Sequence, residues 1–92
     1  MKPTIKKYIH RKNIVFQEVE SVIYILDEKN DKIVTLNDTA TLLWKQLSKS
    51  ADIKQLVSLL TNHYSVSEKQ SEHDVLQFLK TMQQFDFISE AK

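Results

Sequence analysis

The sequence predicts an α+β domain of the winged-helix type, in which a three-stranded antiparallel sheet is followed by three helices in the order βββααα. Two observations carry this prediction. Residues 13–36 are rich in β-branched and aromatic side chains, which is typical of strands. From residue 37 onward the apolar side chains instead recur three and four positions apart, which is the spacing of an amphipathic helix. The pattern of apolar side chains therefore changes from strand-like to helical once, directly after Leu36.

Three strands are predicted before this change. Asn13–Val19 and Val22–Glu28 form the first two. The second begins with five consecutive apolar residues, which indicates a central strand with both faces at least partly covered. A hairpin turn is expected at Lys29-Asn30-Asp31, because Asn and Asp tolerate the positive φ angles that glycine would otherwise supply. The third strand, Lys32–Leu36, then lies at the outside of the sheet.

Three helices are predicted after the change of period. Asn37 or Asp38 is expected to cap the first helix and Ser50 or Asp52 the second, because short polar side chains accept hydrogen bonds from first-turn N–H groups. The third helix begins at Ser67 and runs to about residue 84, and residues 85–88 form a short extended piece that packs on the core. The three apolar stripes consist of Ala40, Leu43, Trp44 and Leu47, then Ile53, Leu56, Val57, Leu60 and Tyr64, then Val75, Phe78, Leu79 and Met82.

The composition excludes several classes of protein. The chain of 92 residues has no cysteine, which excludes disulfides, thiolate nucleophiles and cysteine-based metal sites. It also has no glycine, which excludes a phosphate-binding loop, a dinucleotide fingerprint and a GxSxG elbow. The three histidines lack the spacing of a metal site. We therefore expect no catalytic residue, no metal, no cofactor and no enzymatic activity. A signal peptide and a membrane span are not recognisable, so a cytoplasmic protein without membrane contact is expected.

The charge is unevenly distributed along the chain. Five basic and no acidic residues lie in the first twelve positions, namely Lys2, Lys6, Lys7, Arg11 and Lys12. We predict a basic, flexible arm over residues 1–12 and a single domain over residues 13–92. The arm is open to two interpretations, a solvated terminus or a contact with an anionic partner. Nucleic acid is disfavoured as that partner, because phosphate contacts dominate DNA affinity and the third helix carries more acidic than basic residues.

A series of short motifs runs through the rest of the chain. They are Leu36-Asn37 at a strand end, Thr39-Ala40 before Trp44, Leu60 with Tyr64 and Val66, and Asp74-Val75 in the last helix. Their order and spacing over residues 14–88 resemble the PqqD-like family, the small proteins and domains known as RiPP recognition elements. The chain is most similar to the discrete recognition proteins of lasso-peptide clusters. It departs from the family pattern at Asn30-Asp31, where many members have glycine.

The resemblance implies a function and a site. Family members bind the leader peptide of a ribosomally made precursor as a strand added antiparallel to the third strand and lying against the third helix. The expected partners are a precursor peptide and a peptidase or other modifying enzyme. The peptide-binding residues implied are Lys32, Ile33, Val34, Thr35, Leu76, Leu79, Lys80 and Gln83.

Within this predicted site some roles stay open. Val34 and Leu36 are expected to face the core, so that the backbone of residues 32–35 serves as the docking surface. Leu76 and Leu79 are equally compatible with core packing, and Lys80 with a solvated side chain. Two other functions remain as alternatives, a winged-helix DNA-binding protein that uses the basic arm and an adaptor that binds a partner protein through the same sheet edge. The free edge also allows a homodimer.

Overall fold

A computed structural model describes residues 5–91, which form six strands and three helices. Their bounds are β1 (Lys7–His10), β2 (Phe16–Val19), β3 (Val22–Asp27), β4 (Lys32–Thr35), α1 (Asp38–Gln46), β5 (Ala51–Asp52), α2 (Ile53–His63), α3 (Glu68–Gln84) and β6 (Ile88–Ala91). The predicted α+β class is confirmed, and β2–β4 followed by α1–α3 are the predicted three strands and three helices. The structure adds the short strands β1, β5 and β6.

The predicted sheet has the order β2-β3-β4 and is antiparallel throughout. The two hairpin turns in this sheet are made without glycine. Glu20 and Ser21 both have positive φ angles, of 51° and 67°, as a two-residue type I′ turn requires. Asp31 has a φ angle of 51° in the second turn, at the Asn-Asp pair that the sequence predicts for this position. The turns set the register in which Val34 lies opposite Ile25.

A second sheet, of order β5-β1-β6, joins the two ends of the described chain. Residues 7–10, which the sequence assigns to a flexible arm, pair with Ile88–Ala91 on one side and with Ala51–Asp52 on the other. Tyr8 is buried and anchors this strand to the core. The strand was not recognisable because its hydrogen-bonding partners lie more than forty residues away in sequence. Residues 1–4 of the predicted arm lie outside the described part of the chain.

The helix starts follow the predicted capping residues. Asn37 accepts a hydrogen bond from the N–H of Ala40 at 2.8 Å, so Asn37 rather than Asp38 caps α1. Asp52 caps α2 and forms a reciprocal capping box with Gln55, with both hydrogen bonds at 2.8 Å. Ser67 caps α3. These caps fix where each helix begins, and therefore which residues each helix turns toward the core.

The core lies between the β2-β3-β4 sheet and the helices. Trp44 is fully buried at its centre, and the ring of His10 stacks on its indole with ring centroids 3.8 Å apart. Phe16 approaches both rings edge-on. The Nε2–H of His10 donates a hydrogen bond to the Trp44 carbonyl at 2.6 Å. This aromatic cluster ties β1 and β2 to α1. The predicted packing of the C-terminal extended piece is confirmed, since Phe87 and Ile88 are buried.

Acid is expected to destabilise the fold through His10. Burial lowers the pKa of His10, and the hydrogen bond to the Trp44 carbonyl opposes this effect only in part. The unfolded chain therefore binds the proton more readily than the folded protein. The resulting stability is fully present above the unfolded pKa of about 6.5 and is lost as the pH falls through the lower folded value. Because the ring is only half-buried, we expect a loss below about 1 kcal/mol.

The measurement is the free energy of urea unfolding at pH 7.5 and pH 5. His10→Phe keeps an aromatic ring on the indole but cannot be protonated, so the difference between the two pH values should shrink. His63 is exposed on α2, and His63→Phe serves as the matched control that should leave the difference unchanged. An equal reduction in both variants would contradict the role of His10.

Candidate functional site

Strand β4 is an edge of its sheet, and its outward-facing backbone groups can be assigned. The N–H of Leu36 donates to the carbonyl of Ile23 at 3.0 Å, so the backbone of Leu36 points toward β3. In an antiparallel pair the direction alternates with each residue. The backbone N–H and C=O groups of Val34 and Lys32 therefore also point toward β3. Those of Ile33 and Thr35 point away from the sheet. Within residues 5–91 no strand pairs with this edge.

A groove runs between β4 and α3. It encloses a cavity of about 360 Å³ that is open along one side. One wall is the end of β4 with the start of α1, and the other wall is a single face of α3. The lining residues are Val34, Thr35, Leu36, Asn37, Thr39, Ala40, Asp74, Gln77, Phe78, Thr81 and Met82. The groove therefore has an edge strand at one margin and an apolar floor.

The α3 wall is set by helical spacing. Asp74, Gln77, Phe78 and Thr81 are three or four residues apart and so lie on one face. The adjacent face, with Val75 and its neighbours, is in the core. Phe78 is 7% exposed and Met82 is 2% exposed, so these two side chains belong to the core and also form the floor of the groove. The polar side chains of Gln77 and Thr81 lie at its margin.

The predicted strand residues divide between the two faces of β4. Val34 is half-buried and lines the groove, and Thr35 also borders it, although the Thr35 side chain lies on the outer face of the strand. Ile33 is 57% exposed and lies opposite Leu26 on the outer face of the sheet. Lys32 precedes the residues of β4 that line the cavity, and its Nζ lies 5.5 Å from the centroid of the Phe85 ring, just beyond the end of α3. The structure thus places all four residues on the edge strand, with the side chain of Val34 in the groove.

The predicted helix residues are not brought into this groove. Leu79 is 3% exposed and belongs to the core, which is the packing alternative that the sequence left open. Leu76 is 46% exposed, and Lys80 and Gln83 are also exposed. At about 100° per residue, Leu76 lies about 200° around α3 from Asp74. The set formed by Leu76, Lys80 and Gln83 therefore lies on the helix face turned away from β4.

Sequence reasoning missed Asp74, Gln77 and Thr81 as residues of the groove. Each flanks the apolar stripe of α3, and so do the predicted residues Leu76, Lys80 and Gln83 on its other side. Amphipathic spacing defines the stripe but does not decide which of its two flanks lies beside β4. A usable signal is the presence of two short polar residues, Asp74 and Thr81, on one flank, because short side chains leave room beside the apolar floor.

Two charged groups lie along the line of the groove, Asp74 within its lining and Lys32 beyond the opposite end of that lining. Asp74 is half-buried, and its Oδ1 accepts a hydrogen bond from the Nε2 amide of Gln70 at 2.9 Å. Lys32 lies at the end where α3 finishes. A third charged group, Asp86, lies just beyond α3 and forms salt bridges with Arg11 and Lys29. The hydrogen bond from Lys29, followed by that from Arg11, lowers the pKa of Asp86.

The described residues contain neither a cluster of metal ligands nor a membrane-spanning helix. Among residues 5–91 no group of three or more histidine, aspartate or glutamate side chains is arranged to hold a metal ion. The longest described helix, α3, has 17 residues, and none of the helices in this part of the chain meets the length and hydropathy of a membrane span.

The family model of coenzyme PQQ synthesis protein D (PqqD) matches residues 23–88, a range that includes both walls of the groove. The chain belongs to the PqqD family. The resemblance drawn from the motifs is thereby confirmed. A comparison of this PqqD family member with curated protein sequences found no match.

Two solved structures share the fold of this PqqD family member. TbiB1 in complex with the TbiA(β) leader peptide superposes with a TM-score of 0.80 at 15% identity, over 91% of this chain and 98% of that chain. A lasso peptide synthetase B1 complexed with the leader peptide superposes with a TM-score of 0.77 at 21% identity, over 89% of this chain and 96% of that chain. At these identities the likeness concerns the fold.

Proposed function

We propose that this PqqD family member binds the leader region of a ribosomally synthesised precursor peptide by adding it as a strand to β4. The observation that carries the proposal is the unpaired edge of β4 beside an open groove. The same fold is seen in two proteins whose structures contain a leader peptide. The natural-product class that these relatives favour is the lasso peptides.

The groove fits an extended peptide better than a compact ligand. Ile33 and Thr35 each present an outward N–H and C=O, and an added strand satisfies these groups with main-chain hydrogen bonds that any peptide can make. Side chains of the added strand alternate in direction, so that every second one enters the groove. There they meet the apolar floor formed by Phe78 and Met82. Affinity then comes from the backbone and specificity from the groove.

The protein acts as a carrier and not as a catalyst in this proposal. It holds the leader in the cytoplasm and presents the rest of the precursor to a peptidase or other modifying enzyme. Tethering raises the effective concentration of the substrate at that enzyme, which increases the rate without any chemical group from the carrier. The eight predicted contact residues remain predictions. On the α3 side the geometry favours the groove residues Asp74, Gln77 and Thr81 over Leu76, Lys80 and Gln83.

The experiment is a fluorescence-polarisation titration against fluorescent leader peptides from several precursor classes, with a fluorescent DNA duplex beside them at physiological salt. We expect saturable binding to leaders of one class and no retention of the duplex. Binding to the duplex alone, with a steep dependence on salt, would overturn the proposal in favour of DNA binding. Failure to bind any leader would overturn it in favour of an adaptor that recognises a folded partner.

The free edge of β4 also allows a second copy of the chain to pair with it. A homodimer formed in this way and a leader peptide would occupy the same backbone groups. Any such dimer is therefore expected to dissociate when the leader is added. Sedimentation velocity with and without the peptide measures this, and a dimer that persists with the leader bound would have to use another surface.

A further inference from the structure

We propose that the groove selects a peptide segment in which a basic residue is followed four positions later by an acidic residue, with an apolar residue midway between them. This inference rests on the proposed function and concerns the chemistry of the segment that occupies the site. It follows from the two charged groups at the ends of the groove and from the direction of β4 relative to α3.

The acidic end of the groove is Asp74. Among the described residues that line the cavity, Asp74 is the one charged residue, and it is half-buried there. Gln70 occupies one of its carboxylate oxygens, which leaves the other, Oδ2, for a ligand. Among the salt bridges formed within residues 5–91, none includes Asp74. A carboxylate in this position favours a lysine or arginine side chain on the bound peptide.

The basic end of the groove is Lys32. Its ammonium group lies over the face of the Phe85 ring, which holds the charge near the point where α3 ends. The salt bridges of the described residues do not include Lys32 either. An aspartate or glutamate on the bound peptide would pair with it. The two ends of the groove therefore carry opposite charges.

The spacing of the charges follows from the antiparallel arrangement of β4 and α3. Lys32, at the start of β4, lies beside Phe85, whereas the end of β4 shares the cavity with Asp74. From residue 74 to residue 85 a helix rises about 16 Å. An extended peptide covers a similar distance, about 14 Å, in four residues. Residues four apart on a strand also point to the same side, so both charged side chains enter the groove.

The order of the charges follows from the strand direction. Antiparallel pairing is slightly more stable per residue than parallel pairing, and every pair in this sheet is antiparallel. A peptide that is antiparallel to β4 begins at the Asp74 end and finishes at the Lys32 end. Its basic residue therefore comes first. The residue midway between the charges faces the groove as well, and it lies over the apolar floor made by Phe78 and Met82.

The test is selection of displayed random 12-residue peptides on the whole protein, followed by polarisation titration of the tightest peptide and of an isomer with its two charges exchanged. The isomer has the same composition and the same length. We expect it to bind about five- to tenfold more weakly, as for two partly exposed ion pairs. Asp74→Asn should remove the selection for the basic residue and leave the selection for the acidic residue in place. Lys32→Gln should have the converse effect.

Matched controls come from the exposed face of α3. Glu72→Gln and Lys69→Gln remove the same charges outside the groove, and both should leave the selected pattern unchanged. Peptides that bind with the charges in the opposite order, or with no preference for order, would overturn the charge rule, that is, a basic residue followed four positions later by an acidic one. Peptide binding itself would stand. Absence of any selected peptide would overturn the charge rule together with the proposed function.

Discussion

Thr35→Pro is expected to weaken binding of the leader peptide about tenfold or more while leaving the fold intact. The N–H of Thr35 points away from β3, so its loss removes no hydrogen bond from the sheet. Proline is tolerated on an edge strand when the missing N–H faces solvent. In the complex, however, the peptide carbonyl that would accept this N–H loses its partner. Leaving a buried polar group unsatisfied costs about 1–3 kcal/mol, which is about five- to 150-fold in affinity.

The measurement is polarisation titration of the leader that binds most tightly, with circular dichroism and urea unfolding to verify the fold. Glu18→Pro is the matched control on the opposite edge of the sheet. The N–H of Leu26 donates to the carbonyl of Val15 at 2.9 Å, so by alternation the N–H of Glu18 points outward from β2. Glu18→Pro also removes an exposed salt bridge to Lys45, which contributes little to stability. Equal losses of binding in the two folded variants would contradict strand addition at β4.

Thr81→Trp is expected to weaken leader binding about thirtyfold or more. Thr81 lines the groove on the α3 side, opposite the edge strand. An indole at this position would occupy the space into which the alternate side chains of the peptide are proposed to insert. Losses of about 2 kcal/mol or more are typical of central positions in an interface, and 2 kcal/mol corresponds to about thirtyfold in affinity. Threonine and tryptophan have similar helix propensities, so α3 should be retained.

Leu76→Trp makes the same addition on the opposite face of α3, where Leu76 is 46% exposed. We expect less than a twofold change in affinity for this variant. The comparison separates two versions of the site, because the sequence predicts Leu76 as part of the groove wall and the geometry favours Thr81. A large loss for Leu76→Trp with little effect of Thr81→Trp would support the sequence-based set and contradict the groove described above. Both variants are measured with the same leader and the same tests of folding.

The confirmed predictions depend on interactions between residues close together in the chain. The caps at Asn37 and Ser67 and the hairpin turn at Asp31 each involve groups separated by a few positions. Such interactions can be recognised in a window of four or five residues. The edge position of β4 also follows from a local pattern. The apolar spacing changes from that of a strand to that of a helix after Leu36, so the element that directly follows β4 is a helix and cannot pair with its outer side.

The misassigned elements depend on groups that lie far apart in the chain. Strand β1 pairs Tyr8 with Glu90 and with Ala51, and none of these partners can be recognised from the neighbourhood of Tyr8. The sequence therefore predicts a flexible arm where the structure has β1. Five positive charges in twelve residues also favoured that interpretation. What decided the outcome was the burial of the Tyr8 side chain against elements from the middle and the end of the chain.

The sequence by itself determined the class of fold, the order of β2–β4 and α1–α3, the family and the strand that carries the free edge. These depend on spacing, on capping residues and on motifs, all of which are local. Only the tertiary structure decided which flank of α3 faces that edge. The apolar stripe of α3 is compatible with either flank, and the choice depends on how the helix crosses the sheet. That packing places Asp74 and Thr81 in the groove and turns Leu76 toward solvent.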